Sequence, residues 1–318
     1  MQPCSYTGVG SLPFVSVSQA LAHVFAHYEI PFLPQLPKQH LHEQMLYQFL
    51  EDFPGFTQLG NRLFIDLDIF KPQKLENKSF SFSFLGALDS FIQKSKHVSL
   101  IKLQVTSPYT IASHLFCSDQ KLVLDHGPIY EYLKEFIFHK TNALIQKFPQ
   151  PKLIFFDEPM LSRANVDEVL PLLEGYIQKL RRQDLQFGLH SCNLWSSFLF
   201  QKIFHSRFDI INFDIQEGLE AILEEPEALF SFLKRGWVMW GVVPTSFSLN
   251  LEPASFIHSL QNKCLKTKQI LTILAKSLMS PACGTSQVSM DQEKKCAKNL
   301  KQIALYSREF YEKEGDKA

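Results

Sequence analysis

KLIFFDEPMLSRANVDEVLPLLEGYIQKLRRQDLQFGLHSC, residues 152–192, holds the fold in miniature. An apolar run, KLIFFDE, leads through a turn into a helical pattern, NVDEVLPLLEGYIQKLRR (165–182), and then into a second apolar run, QFGLHSC. Both runs are near-continuous rather than alternating, the pattern of parallel strands buried on both faces. Asn165, with Glu168 three residues on, predicts a capping box at the start of the helix.

The same unit recurs along the chain. Candidate strands lie at 6–11, 31–36, 100–106, 152–158, 186–192, 209–215, 237–243 and 278–283. Helical patterns fall between them, most clearly in VSQALAHVFAHY, EYLKEFIFHKTNALIQKF and the C-terminal QEKKCAKNLKQIALYSREFYEK. Eight strands alternating with helices in 318 residues predict an α/β fold, a (β/α)8 TIM barrel, as a single domain over 1–318; a doubly wound sheet is the alternative. NRLFIDLDIF (61–70) alternates with period two and fits no such unit, so it predicts a small inserted hairpin after the second strand.

Hydrophobic residues make up 45% of the chain, enough for a large core. The 32 basic and 32 acidic residues cancel and form no long run of either sign, which argues against nucleic acid or an anionic membrane as partner. The N-terminal MQPCSYTGVGSLPF lacks the pattern of a signal peptide, and no apolar run reaches the length of a membrane span, so a cytoplasmic location is expected. In that reducing setting the six cysteines should be free thiols. Most read as inert; Cys192 and Cys283 lie in stretches suited to chemistry.

The last residues of successive strands are the reactive ones: Gly10 and Ser11, Asp157 and Glu158, His190 and Cys192, Asp214, Thr245 and Cys283. In a parallel barrel such positions share the C-terminal face, where active sites form. His190 and Cys192, two apart on a strand, point the same way. With Cys283 they make an imidazole and two thiolates, a donor set suited to tetrahedral zinc with one position open for substrate. The bland alternative is a hydrogen-bonded core histidine and two buried thiols. His40, His42 and Glu43 form no metal motif and read as a solvated helix start.

GVGSLPF, KLQVTSPYTIA, IFFDEPML, GLHSCN, FDIINFD, WGVVPTS and SPACGTS occur in this order across nearly the whole chain. Together they resemble the catalytic barrel of cobalamin-independent methionine synthase, in the superfamily that also holds uroporphyrinogen decarboxylase. The resemblance is nearest to the short, single-barrel bacterial proteins of that kind. It implies zinc bound by His190, Cys192 and Cys283. It also implies a fourth ligand where this chain has Asp214 in place of the family's glutamate, which leaves three roles open: direct ligand, ligand through water, or partner of His190. Asp157 is implied to bind the amino group of homocysteine, with Glu158 beside it. Gly10 and Ser11 are implied to hold the substrate carboxylate. The implied reaction moves a methyl group to a zinc-bound thiolate.

The chain departs from the family in three places. PQLPKQ offers Gln35, Lys38 and Gln39 where a second acidic residue is expected; Thr245 stands near the place of the family's histidine, a proton donor; and no counterpart of the folate-tail barrel is seen. Both 5-methyltetrahydrofolate and a methylated corrinoid protein therefore stay open as methyl donor. The rival readings are a metal-free decarboxylase-like barrel, disfavoured by the lack of an N-terminal arginine cluster, and a non-catalytic zinc-bound barrel partnering a corrinoid protein.

Overall fold

A computed structural model describes residues 1–60, 62–192, 196–245, 251–263 and 265–316. Cys264, one of the cysteines read as inert, lies outside them, as do Asn193 and Ser246 of the quoted motifs. Seven parallel strands form one sheet: β1 (Ser5–Tyr6), β4 (Ile101–Thr106), β5 (Lys152–Asp157), β6 (Leu185–His190), β7 (Ile210–Asp214), β8 (Trp237–Val243) and β9 (Ser277–Pro281), in the order β1-β9-β8-β7-β6-β5-β4. The predicted insertion is present as an antiparallel hairpin, β2 (Phe56–Leu59) and β3 (Arg62–Ile65).

The segment predicted as the second barrel strand is not a regular strand. PFLPQL carries Pro31 and Pro34, neither of which has an N–H to give to a ladder. Its remaining backbone groups nevertheless reach both edges of the sheet. Ile30 N donates to Tyr6 O (3.1 Å), Gln35 N to Gly10 O (3.1 Å) and Leu12 N to Gln35 O (2.9 Å). On the other side Lys102 N donates to Pro31 O (2.9 Å) and Leu33 N to Lys102 O (3.1 Å). The first strand is also shorter than its predicted span 6–11, because past Thr7 the chain bonds to single residues rather than to a neighbouring strand.

Side chains alternate between two buried faces. The outer face packs on the helices and carries most of the core. The inner face holds a small separate cluster of Ile30, Leu153, Phe155, Ile210, Met239 and Leu278. Further along the same strands the inward positions turn polar: Gln104, Asp157, His190, Asn212 and Ser280. Burial on both faces explains why the strands read as continuous apolar runs.

Two local expectations are corrected. Asn165 precedes the helix Val166–Leu180 but does not cap it; its side chain turns back, accepting from Ser162 N (2.8 Å) and donating to Met160 O (2.7 Å). Glu168 instead accepts from the Tyr130 hydroxyl at 3.2 Å. Glu43 is not solvated: it is buried, and its carboxylate accepts from Leu36 N (3.1 Å) and Gly86 N (3.0 Å). No helix among the described residues is long and apolar enough to cross a membrane.

Candidate metal centre

Asp157, His190 and Asn212 sit side by side in register across β5, β6 and β7. His190 ends β6 and is buried, with its Nδ1 2.6 Å from Asn212 Oδ1. The Asn212 amide cannot be turned round, because its Nδ2 donates to the Met239 carbonyl (2.8 Å) and to Ser280 Oγ (2.9 Å). A carbonyl only accepts, so Oδ1 must face the imidazole and Nδ1 must carry the proton. In the neutral ring the lone pair then lies on Nε2, the state a metal ligand requires.

The ligand atoms of His190, Cys192 and Cys283 lie within 4.8 Å of one another. Both thiols are half-buried, while the histidine is buried. Cys192 follows β6 by two residues; Cys283 follows β9, after Ala282 N has bonded to Val243 O (2.8 Å). The hydrogen bond from Cys283 holds the Cys192 thiol far below its ordinary range, and Cys283 is pushed up by the same bond and by burial. A pre-lowered thiol beside a lone-pair imidazole fits a borderline-soft ion such as zinc.

Asp157 is buried, and burial pushes its carboxyl from 3.8 up to about 6 against the opposing pull of His190 and Lys102. Its Oδ1 has no hydrogen-bond partner. Lys102, in β4, is also enclosed; its Nζ donates to Val9 O (2.5 Å) and lies 4.7 Å from the centre of the Phe155 ring. Burial lowers that ammonium to about 8, with Asp157 pulling the other way. Sequence reading missed both Lys102 and Asn212. Their signal was a lone polar residue inside an apolar strand, in LIKLQVT and DIINFDI.

The remaining expected residues fall into different places. Glu158 is fully buried; Oε1 accepts from Thr110 Oγ1 (2.6 Å) and Met160 N (3.0 Å). Burial raises its carboxyl despite hydrogen bonds from Ser107 and Thr110. Gly10 is buried and Ser11 half-buried, and Ser11 O accepts from Thr285 N (2.9 Å). A Cβ on Gly284 would stand 2.1 Å from Ser11 Oγ, so the residue after Cys283 touches the Gly10–Ser11 turn. Asp214 does not join the three clustered ligand atoms; it caps the helix Ile215–Leu223 by accepting from Gln216 N at 2.9 Å. Thr245 lines a cavity of about 220 Å³ with Val243, Thr285, Lys295 and Cys296, beside the helix Met290–Gly315. None of the three clustered residues lines that cavity.

No family model matches the chain, and no curated protein does. Solved structures do. A B12-independent methionine synthase from Shewanella sp. W3-18-1, in complex with selenomethionine, superposes with a TM-score of 0.63 at 15% identity, covering 97% of this chain and 98% of that one. A methyltransferase from Methanosarcina mazei gives a TM-score of 0.60 at 13% identity, covering 98% and 95%. At such identities the likeness is one of fold: an α/β chain around a parallel sheet, shared along its whole length with a B12-independent methionine synthase.

Proposed function

We propose that the chain is a zinc-dependent S-methyltransferase of the methionine-synthase kind, acting on a thiol amino acid, homocysteine above others. The observation that carries this reading is the convergence of His190, Cys192 and Cys283 at the ends of two strands, with the imidazole tautomer fixed by Asn212. These three residues would hold the metal, and Asp214 is the candidate for the fourth place. Zinc bound there would keep a substrate thiol ionised at neutral pH. The net reaction forms an S–CH3 bond, breaks the bond from methyl to donor, and releases the thiol proton.

The chain's own residues supply position. Asp157 presents a buried, unpartnered carboxylate oxygen to a substrate ammonium, and the charge of the enclosed Lys102 favours its ionised form. Gly10 and Ser11 form the turn that would meet the substrate carboxylate. Glu158 touches Ser107, Thr110 and Met160 and so fixes the turn that follows Asp157. Thr245 would sit on the donor side, where its cavity opens. A selenomethionine-bound neighbour supports an amino-acid ligand of this shape. The donor would be 5-methyltetrahydrofolate or a methylated corrinoid protein.

The finer architecture belongs to the same reading: a single domain whose sheet is closed into an eight-stranded barrel by residues 30–35. Free thiols would suit a cytoplasmic setting. The test is zinc content with and without Cys192→Ser and Cys283→Ser, followed by methyl transfer to homocysteine from each donor. A fall of about one zinc per chain in both variants, together with loss of turnover, supports the reading. A folded protein that takes up no zinc sinks it.

A further inference from the structure

A second group of metal-ligating side chains lies outside the strand ends. Cys117 Sγ, a carboxylate oxygen of Asp119 and a ring nitrogen of His126 also lie within 4.8 Å of one another. They belong to the turn after the helix Pro108–Ala112, in CSDQKLVLDH (117–126). Its backbone is fixed on several sides. Cys117 N donates to Lys121 O (2.8 Å), Gln120 N to Cys117 O (3.0 Å) and Ser118 N to Ile65 O (2.8 Å) of the hairpin. His126 directly precedes the helix Gly127–Gln146, whose Tyr130 N donates to its carbonyl (2.9 Å). The three donors therefore come from a hairpin-bonded turn and a helix start, not from one mobile stretch.

The spacing suits a tetrahedral ion. Bonds of about 2.0–2.1 Å to nitrogen and oxygen put those two atoms roughly 3.3 Å apart, and a bond of about 2.3 Å to sulfur puts it roughly 3.6 Å from each. His126 Nε2 and Asp119 Oδ1 already stand 3.2 Å apart, one edge of that tetrahedron. The sulfur has at most a small distance to close. Lys121 Nζ, 3.9 Å from Asp119, is the competing cation, but its side chain is 67% exposed and weakly held. Cys117 is enclosed, Asp119 exposed and His126 between them, so water can reach the fourth position.

We infer that Cys117, Asp119 and His126 form a second, structural binding site for zinc or a similar borderline-soft divalent ion, one that clasps the turn 117–126 between the hairpin and the helix Gly127–Gln146. On binding, the Cys117 thiol gives its proton to solvent, and the Nε2 proton that His126 donates to Asp119 passes by way of solvent to Nδ1, which frees the Nε2 lone pair for the ion. With one sulfur instead of two, the site is weaker than that of His190, Cys192 and Cys283.

Cobalt(II) titration of the full chain tests this, because each cobalt–thiolate bond gives a charge-transfer band. The informative protein is the Cys192→Ser/Cys283→Ser double variant, which lacks both sulfurs of the first site. It should still take up about one cobalt with a one-thiolate band. Adding Cys117→Ser should abolish that band, and His126→Ala should weaken binding by roughly tenfold or more. Circular dichroism checks that each variant folds. Two outcomes overturn the inference: no uptake by the folded double variant, or a band that survives Cys117→Ser. The two sites fail separately. Wild-type uptake of one cobalt with two thiolates, lost in the double variant, upholds the first site and removes this one; a one-thiolate band unchanged by the double variant does the reverse.

Discussion

Asn212 Oδ1 lies 2.6 Å from His190 Nδ1, and the amide is held the right way round by the Met239 carbonyl. The imidazole is thereby told which nitrogen to protonate before any metal arrives. Asn212→Leu should keep the three donor side chains and lose that instruction. Zinc affinity should fall by about 10–100-fold, read by competition with a chromogenic chelator. Asn212→Asp keeps an acceptor toward Nδ1 and should lose less. Equal affinity in Asn212→Leu and wild type would show that the tautomer is not set here.

Asp157 makes the metal-free protein sensitive to pH. Its carboxyl keeps a proton up to about 6 in the fold, against 3.8 without burial. Between those values the native state binds more protons than the unfolded chain. Stability from this group is therefore full below the lower value and is lost as pH rises through the upper one, by about 3 kcal/mol at most. Urea unfolding of metal-free protein between pH 4 and 7 should show the decline. Asp157→Asn should flatten it.

Lys102 moderates that burden. Its ammonium favours the ionised Asp157 and also grips the Val9 carbonyl. Lys102→Met takes away a cation of similar volume. The pH window for loss of stability should then move upward, its upper edge passing beyond about 6. An unmoved window would mean that the two groups do not feel one another.

Gly241, in β8, has no room for a side chain. A Cβ there would lie 2.6 Å from Phe213 O and 2.8 Å from Ala282 Cα, and both are backbone atoms. Gly241→Ala should cost about 1–3 kcal/mol and push Ala282, with neighbouring Cys283, away from β7. Chemical denaturation reads the first effect and zinc affinity the second. A neutral substitution would mean that β8 and β9 slide apart freely.

Much of this was legible in the amino-acid string because burial on both faces writes itself as continuous apolar runs. KLIFFD and QFGLH are strands where they were expected, with Asp157 and His190 at their ends. The histidine and two cysteines converge as their strand-end positions implied. What stayed hidden depended on partners far away in the chain. Asn212 owes its role to Met239 and Ser280, on strands β8 and β9. Asn165 looked like a helix cap, but the Met160 carbonyl offered its side chain a competing bond. Residues 31–36 were apolar enough for a strand, yet their two prolines left a ribbon with only occasional bonds. Asp214 ends β7 as its motif implied, and its bond to a backbone N–H two residues on, which caps the next helix, is a local claim on its carboxylate that the analogy did not announce.

The pairing of β1 with β9 sets an order of events during synthesis. Ser5 faces Leu278 and Tyr6 faces Met279, so the N-terminal strand waits for nearly the whole chain before it finds its neighbour. Contacts of such separation form late and slowly. Cys283 and Gly284 arrive with that final strand, so His190 and Cys192 emerge from the ribosome long before their third companion. A half-made chain offers an ion only an incomplete grip. Metal loading at these residues, if the proposed site is right, would therefore report that the last strand has docked.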